Sequence, residues 1–470
     1  YLLHRKTVVW LLRPATHHER VPTVIEQRHH TERPRGLHRD RTVVTVALTD
    51  VSLSLGSGTD PIVSVTNGQG AFLITDAGLA GRLSATINIT VPGDAVEFDG
   101  NFLVEINTTN QPIDEQIVVG GEVLNLQLDR SNALRVVGTD VVVAIAGQTL
   151  RADLSFAQIT ELDGTLAIRA AVTNGSIDLG SGAVSVTDVE GALFLFTDTA
   201  GAQQVAAKLD ATVAITIPDV AFTGTFGVAI NTSDQAIDES FDVGVEVIDL
   251  VVPEGPFLKV TGTGVTLTIL DQTIGGTFSI TRQTDAVTGA SLLTIAITDG
   301  FLTLGGTPAL VDVSAVNGAF IVTDSGLAAV LEATVALSLP SANLSGSFAL
   351  EINTTTEAVD QTIDTVVVDL PAGPYLRLSV TGLDVSIAGQ TLTGDFAVQE
   401  QTQSDGSTKT SVAVANASIN LGDGAVVVTN GTGFFLITAA GLAGSLAATV
   451  AIDPALGVTF TGTFGIEINT

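Results

Sequence analysis

The side chains here that could hold a hard cation or move a proton are carboxylates gathered in turn-like stretches. Thr232–Glu239 reads TSDQAIDE and carries Asp234, Asp238 and Glu239; Asn110–Glu115 carries Asp114; Thr284–Gly289 carries Asp285. Calcium takes roughly six to eight oxygens from carboxylates, carbonyls and water, and such extracellular sites are weak. These five residues are therefore the candidate calcium ligands, and calcium is the only cofactor indicated. No EF-hand spacing occurs, and a hydrated acidic turn is the preferred reading of each stretch. Catalysis lacks its usual groups: there is no Cys, and all six His fall in residues 1–42. The repeated stretches thus offer no imidazole base for a serine and no thiolate. Asp114-Glu115 and Asp238-Glu239 recur as a pair, but the third copy has Asp360-Gln361. A glycosidase needs two differently tuned carboxylates across one cleft, so the expectation is no enzyme.

The elements that must position these residues are strands. The phrase Phe-x-aliphatic-x-Ile-Asn-Thr occurs at Phe102–Thr108, Phe226–Thr232, Phe348–Thr354 and Phe464–Thr470, with its asparagines 124, 122 and 116 residues apart. Phe226, Val228 and Ile230 alternate with Thr225, Gly227 and Ala229, the two-residue period of a half-buried strand. That apolar stripe, with Leu376, Leu378 and Val380, reads as ordinary core. The closing Asn reads as a strand-end residue tolerant of a left-handed turn. Three more stations recur. LKVTGTGVTLTILDQT (Leu258–Thr273) reads as two strands around a Gly turn, VTNGSIDLGSG (Val172–Gly182) as a strand ending in one, and NGQGAFLITDAGLAG (Asn67–Gly81) closes the set. Turn-rich segments separate them. Counting gives about eight strands of roughly 8–12 residues per period and no capped helical pattern. The fold class is all-β: tandem repeats of about 120 residues forming an antiparallel β-meander. Two arrangements fit, a continuous elongated sheet or β-superhelix, or a string of sandwiches.

Charge divides the chain. Residues 1–42 hold nine of the 19 Lys and Arg and four of the 50 acids, leaving 46 acids against 10 bases, a net of −36, in residues 43–470. Such a surface repels nucleic acid and attracts counter-ions. No apolar run is long enough for a membrane-spanning helix. The expected organisation is a foreign basic segment at 1–42, disordered or mistranslated, then a partial repeat at 43–98. Repeats follow at 99–222, 223–344 and 345–460, and a truncated one begins at 461–470. With no Met and an abrupt end at Thr470, the chain reads as a window from a longer protein.

Over residues 43–470 the repeats resemble tandem units of very large secreted or surface proteins of bacteria, adhesin-like and associated with RTX-type repeats. GTF-x-V/I-x-INT, LPAGPYLRL (Leu370–Leu378), AGQTL and GAFLITDAGLAG carry the resemblance. It implies an extracellular or cell-surface location and a non-catalytic structural or adhesive role. The implied partners are neighbouring repeats of the same chain and cell-surface or matrix ligands. The calcium-binding nonapeptide itself is absent. The alternative is a lipid-binding or lipid-conducting β-groove, which would leave a continuous apolar patch where a closed core leaves none. A membrane-spanning barrel would need aromatic girdles, and residues 43–470 hold no Trp and a single Tyr, Tyr375.

Overall fold

The computed structural model describes residues 5–12, 22–29 and 43–470, less the short connections 56–62, 91–95, 120, 131, 146–147, 161–164, 180–182, 199, 219, 285–290, 306–308, 340–341, 388–389 and 404. Every regular element among them is a strand, apart from one 3-10 turn at Pro454–Leu456. In the basic segment β1 (Arg5–Leu12) and β2 (Pro22–His29) pair as a two-stranded sheet of their own. His17, His18 and His30 lie outside the described residues.

The chain divides into two compact units, Tyr1–Val213 with Val228–Gly255, and Ala214–Gly227 with Pro256–Thr470. The first contains β3 (Val44–Leu55), β4 (Val63–Thr75), β5 (Gly78–Thr90) and β6 (Val96–Asn107). A small hairpin follows, β7 (Ile113–Val119) with β8 (Glu122–Leu128), then β9 (Asn132–Ile145), β10 (Gln148–Thr160), β11 (Leu166–Leu179) and β12 (Val184–Thr197). Strands β3-β4-β5-β6-β9-β10-β11-β12 pair antiparallel in that order. β13 (Gln203–Ile217) and β14 (Val220–Asn231) are divided between the units, and a second hairpin, β15 (Ile237–Val243) with β16 (Glu246–Val252), belongs to the first.

The second unit runs β17 (Phe257–Ile269), β18 (Gln272–Thr284), β19 (Ser291–Leu304), β20 (Val311–Thr323), β21 (Gly326–Leu339) and β22 (Ala342–Asn353). After a third hairpin, β23 (Val359–Ile363) with β24 (Val366–Leu370), come β25 (Tyr375–Ile387), β26 (Gln390–Thr402), β27 (Thr408–Leu421), β28 (Val426–Thr438), β29 (Gly441–Ile452) and β30 (Phe460–Asn469). The strands outside the hairpin again pair each with the next. Neither meander closes: among the described pairings β3 meets only β4, and β30 only β29. Copies are not discrete sandwiches, because strands on either side of a copy boundary pair directly, β5 with β6, β21 with β22 and β29 with β30.

Sheet strands are longer than expected, 10–15 residues, because several stretches read as turns are bulges inside strands. Gly262-Thr263-Gly264 does not reverse the chain. β17 runs straight through it with a register shift between Gly262 and Val265, and the reversal comes at Leu270-Asp271. Equivalent bulge residues with φ from 50° to 62° are Asp50, Asn67, Asp140, Asn174 and Asp188 in the first unit, and Gly264, Asp299, Ala315, Gly382, Asn416 and Asn430 in the second. One extra residue in one strand bends it and sharpens its twist. A left-handed residue suits a bulge as well as a turn, so local sequence does not separate the two.

Each hairpin lies back over one face of the sheet, and there the core forms. The first seats Ile117, Val119, Leu126 and Leu128 on Ala47, Ala71 and Ala80, with Val43 and Leu73. The third seats Val368 and Leu370 on Ala319, Ile321 and Ala328, beside Tyr375. In the second, Phe241, Val243, Ile248, Leu250 and Val252 are buried near β9–β12. Alanines on the sheet let the ribbon come close, while each buried Leu, Val or Phe stabilises by about 1.5–3 kcal/mol. We call this the clamped face and the other the open face.

Candidate functional site

The candidate calcium ligands do not converge. In β15 Glu239 points with Ile237 and Phe241 towards the sheet, while Asp238 points outward, as a two-residue period requires. Asp234 sits in the preceding loop and accepts from Gln235 Nε2 at 3.3 Å. Asp114 is exposed on the outer face of β7, accepting from Gln127 Nε2 at 3.4 Å. Asp285 lies outside the described residues. No three His, Asp or Glu side chains are grouped to hold a metal among the described residues. Glu239 instead pairs with Arg169 at 2.5 Å, and the guanidinium carbon lies 5.6 Å and 5.8 Å from the Phe194 and Phe241 ring centroids.

Arg169 belongs to a set of ion pairs on the clamped face, of which its own with Glu239 and that of Lys259 with Asp364 join a hairpin to the sheet and the rest join neighbouring strands. Glu105 meets Arg135 at 3.1 Å and Arg82 at 3.6 Å; Glu351 meets Arg377 at 3.4 Å and accepts from the Tyr375 hydroxyl at 2.8 Å. Burial and the Glu351 carboxylate together push the Tyr375 phenol up to about 12. At the tip of the third hairpin, Asp364 accepts from the Ser279 hydroxyl and pairs with Lys259 at 2.9 Å. Burial pushes its carboxyl up, but the Ser279 hydrogen bond and the Lys259 ammonium outweigh that and hold it below the usual range.

The asparagine of the repeated phrase has a role that local reading missed. Asn231 is 0 % exposed. Its Nδ2 donates to the carbonyls of Gln235 and Pro253, both at 2.7 Å, so it ties the two ends of the hairpin together. Its Oδ1 accepts from the Ser233 amide at 3.0 Å and hydroxyl at 2.8 Å. Asn107 does the same with Gln111, Asp129 and Thr109, and Asn353 with Glu357, Pro371 and Thr355. The expected left-handed conformation belongs to Asn110, not Asn107. The following Thr extends the tie: Thr232 Oγ1 accepts from the Val205 amide at 2.9 Å, as Thr108 and Thr354 do from Leu79 and Leu327. The sequence signal was the Asn-Thr at the end of each copy of the phrase, followed in the first three copies by Thr or Ser two residues after the Asn.

The open face carries the feature best suited to binding. In the first unit one register row runs Leu48, Gly70, Leu83, Val104, Val136, Phe156, Ala170 and Leu193 across eight strands. In the second, Gly262, Phe278, Ile297, Gly318, Leu331, Leu350, Leu378, Val398, Val412, Phe435, Gly444 and Ile468 cross twelve strands without a polar residue. The stripe expected to be core is therefore the uncovered side: Val228, Leu376 and Leu378 are 42–46 % exposed. The hairpins occupy the opposite face, so no element among the described residues closes over it. In the first unit this face is concave. A hollow of about 580 Å³ is lined by Phe102, Val136, Leu154, Phe156, Ala170 and Leu193, and a second of about 230 Å³ by Phe98, Val143, Leu150 and Ile177. Leu154 and Val172 line both, so the two adjoin as one trough. Glycines keep its floor low: a Cβ at Gly138 would stand 2.8 Å from Val141 Cγ2 and 3.0 Å from Phe102 Cε1. Phe98 and Phe102 stack over Gly100 with centroids 5.6 Å apart.

No helix among the described residues is long and apolar enough to cross a membrane. No protein-family model matches the chain, and no curated protein is similar to it.

Proposed function

We propose that this chain is a non-catalytic repeat scaffold whose open face holds the aliphatic chains of lipids, a β-groove that binds or conducts them. The observation that carries this reading is the unbroken apolar row across twelve strands, left uncovered while the hairpins pack on the other side. Exposed apolar area on this scale is unfavourable in water and marks an interaction surface. Aliphatic chains suit it because the row offers no hydrogen-bonding side chain and runs from strand to strand across copy boundaries. The test is extraction of lipid from the purified chain by mass spectrometry, with binding of a fluorescent acyl probe. Leu154→Asn with Phe156→Ser should abolish probe binding at the first-unit trough while leaving thermal unfolding nearly unchanged. A wild-type chain that neither copurifies with lipid nor binds the probe would overturn the proposal.

A second reading, a structural or adhesive segment of a giant extracellular or cell-surface bacterial protein, draws on one different observation. The same Asn-clamped hairpin recurs in three copies, and the copies share sheet edges, so length grows by whole repeats. In that reading the outward carboxylates and the anionic surface meet the adhesion target. Substitutions of outward carboxylates such as Asp114 and Asp238 that leave lipid binding intact but abolish cell attachment would favour it over the groove.

A further inference from the structure

The trough and the distribution of charge together select among lipids. The first-unit hollow has one charged residue in its lining, Lys208, whose ammonium stands 3.4 Å from the Asp210 carboxylate. Five other bases are committed on the clamped face, Arg82 and Arg135 to Glu105, Arg169 to Glu239, Lys259 to Asp364 and Arg377 to Glu351, and Arg130, Arg151, Arg282 and Lys409 do not line the hollow. The register places the five paired bases on the side of the sheet away from the apolar rows. Residues 43–470 meanwhile carry 46 acids against 10 bases. An anionic headgroup held at the mouth of the trough would meet a negative field with no unengaged cation lining the hollow to answer it. A neutral, zwitterionic or cationic headgroup meets no such barrier.

We infer that the first-unit trough takes the single aliphatic tail of an uncharged, zwitterionic or cationic lipid and discriminates against anionic ones. The tail lies over Phe102, Val136, Leu154, Phe156 and Leu193 and the headgroup stays in solvent. The inference rests on the groove reading above and adds the class of ligand. A hollow of about 580 Å³ is within the roughly 300–1,000 Å³ of small-molecule sites, so it suits one tail rather than a bilayer patch.

The test uses the whole chain and three ligands sharing one palmitoyl tail, each below its micelle concentration: monopalmitoylglycerol, palmitoyl lysophosphatidylcholine and palmitate. Binding is read by equilibrium dialysis at low and moderate salt. The first two should bind at least about tenfold more tightly than palmitate at low salt, and salt should narrow the gap as it screens the surface. Shortening the tail should weaken all three by about fourfold per methylene. Gly138→Phe, which fills the floor, and Phe156→Ser, which unpacks no hairpin, should each weaken all three ligands together. Palmitate binding as tightly as the neutral lipid at every salt concentration would overturn the headgroup inference and leave the groove intact. Palmitate binding that falls selectively in Lys208→Ala would overturn it too, by showing that Lys208 receives the carboxylate. No binding by any of the three would sink the groove reading itself, and this inference with it.

Discussion

Replacing Asn231 by Ala should release the second hairpin without unfolding the sheet beneath it. The side chain is fully buried and makes four hydrogen bonds, two given by Nδ2 to Gln235 and Pro253 and two received by Oδ1 from Ser233. A typical net value of about 1 kcal/mol per bond gives about 4 kcal/mol for the four. Water entering the vacated space restores part of it, so the expected loss is about 3 kcal/mol, near the upper end for single substitutions. The loss should be local. The hairpin's apolar seat of Phe241, Val243, Ile248, Leu250 and Val252 is separate from the backbone ladder of the sheet. The assay is amide hydrogen exchange resolved by segment. At about 1.4 kcal/mol per factor of ten, opening of β15–β16 should become about a hundredfold more frequent, with β10–β12 little changed. An exposed strand asparagine supplies the control: Asn343 stands on β22 with its side chain exposed, so Asn343→Ala should be nearly neutral. Equal effects at the two sites, or unchanged protection in β15–β16, would refute the clamp.

Other outcomes are as definite. Asp364 has a folded pKa depressed below its unfolded value, so its contribution to stability is present above the unfolded pKa and fades as pH falls through the folded one; Asp364→Asn should flatten that acid limb in a pH series of thermal melts. Ala315 holds φ 50° at a bulge where the equivalent residues are Asp188 and Asn430, and Ala315→Asn should raise stability by up to about 1 kcal/mol in denaturant titration. Leu270 holds φ 48° in the β17–β18 turn, and Leu270→Asn should stabilise by a similar amount for the same reason. Because Asp114, Asp234, Asp238 and Glu239 point apart, millimolar Ca²⁺ should not raise the melting temperature saturably; such a rise would reveal a site outside the residues named here.

The period of the phrase, the all-β class, the eight strands per copy and the alternation of faces were legible in the chain itself. A strand writes its two sides directly as odd and even positions, and a repeat writes its equivalences as spacing. Three matters were decided elsewhere. Gly262-Thr263-Gly264 looks like a turn because a left-handed residue serves turns and bulges alike, and only the partner strand's register tells them apart. Asn231 looks like a strand end because one of its partners, Pro253, lies 22 residues away and meets it only when the hairpin folds back. The stripe of Phe226, Val228 and Ile230 looks like core because alternation says which side is apolar, never what covers it. The hairpins instead chose the side with alanines, where a ribbon can approach closely, and so the larger apolar side chains were left facing an open trough.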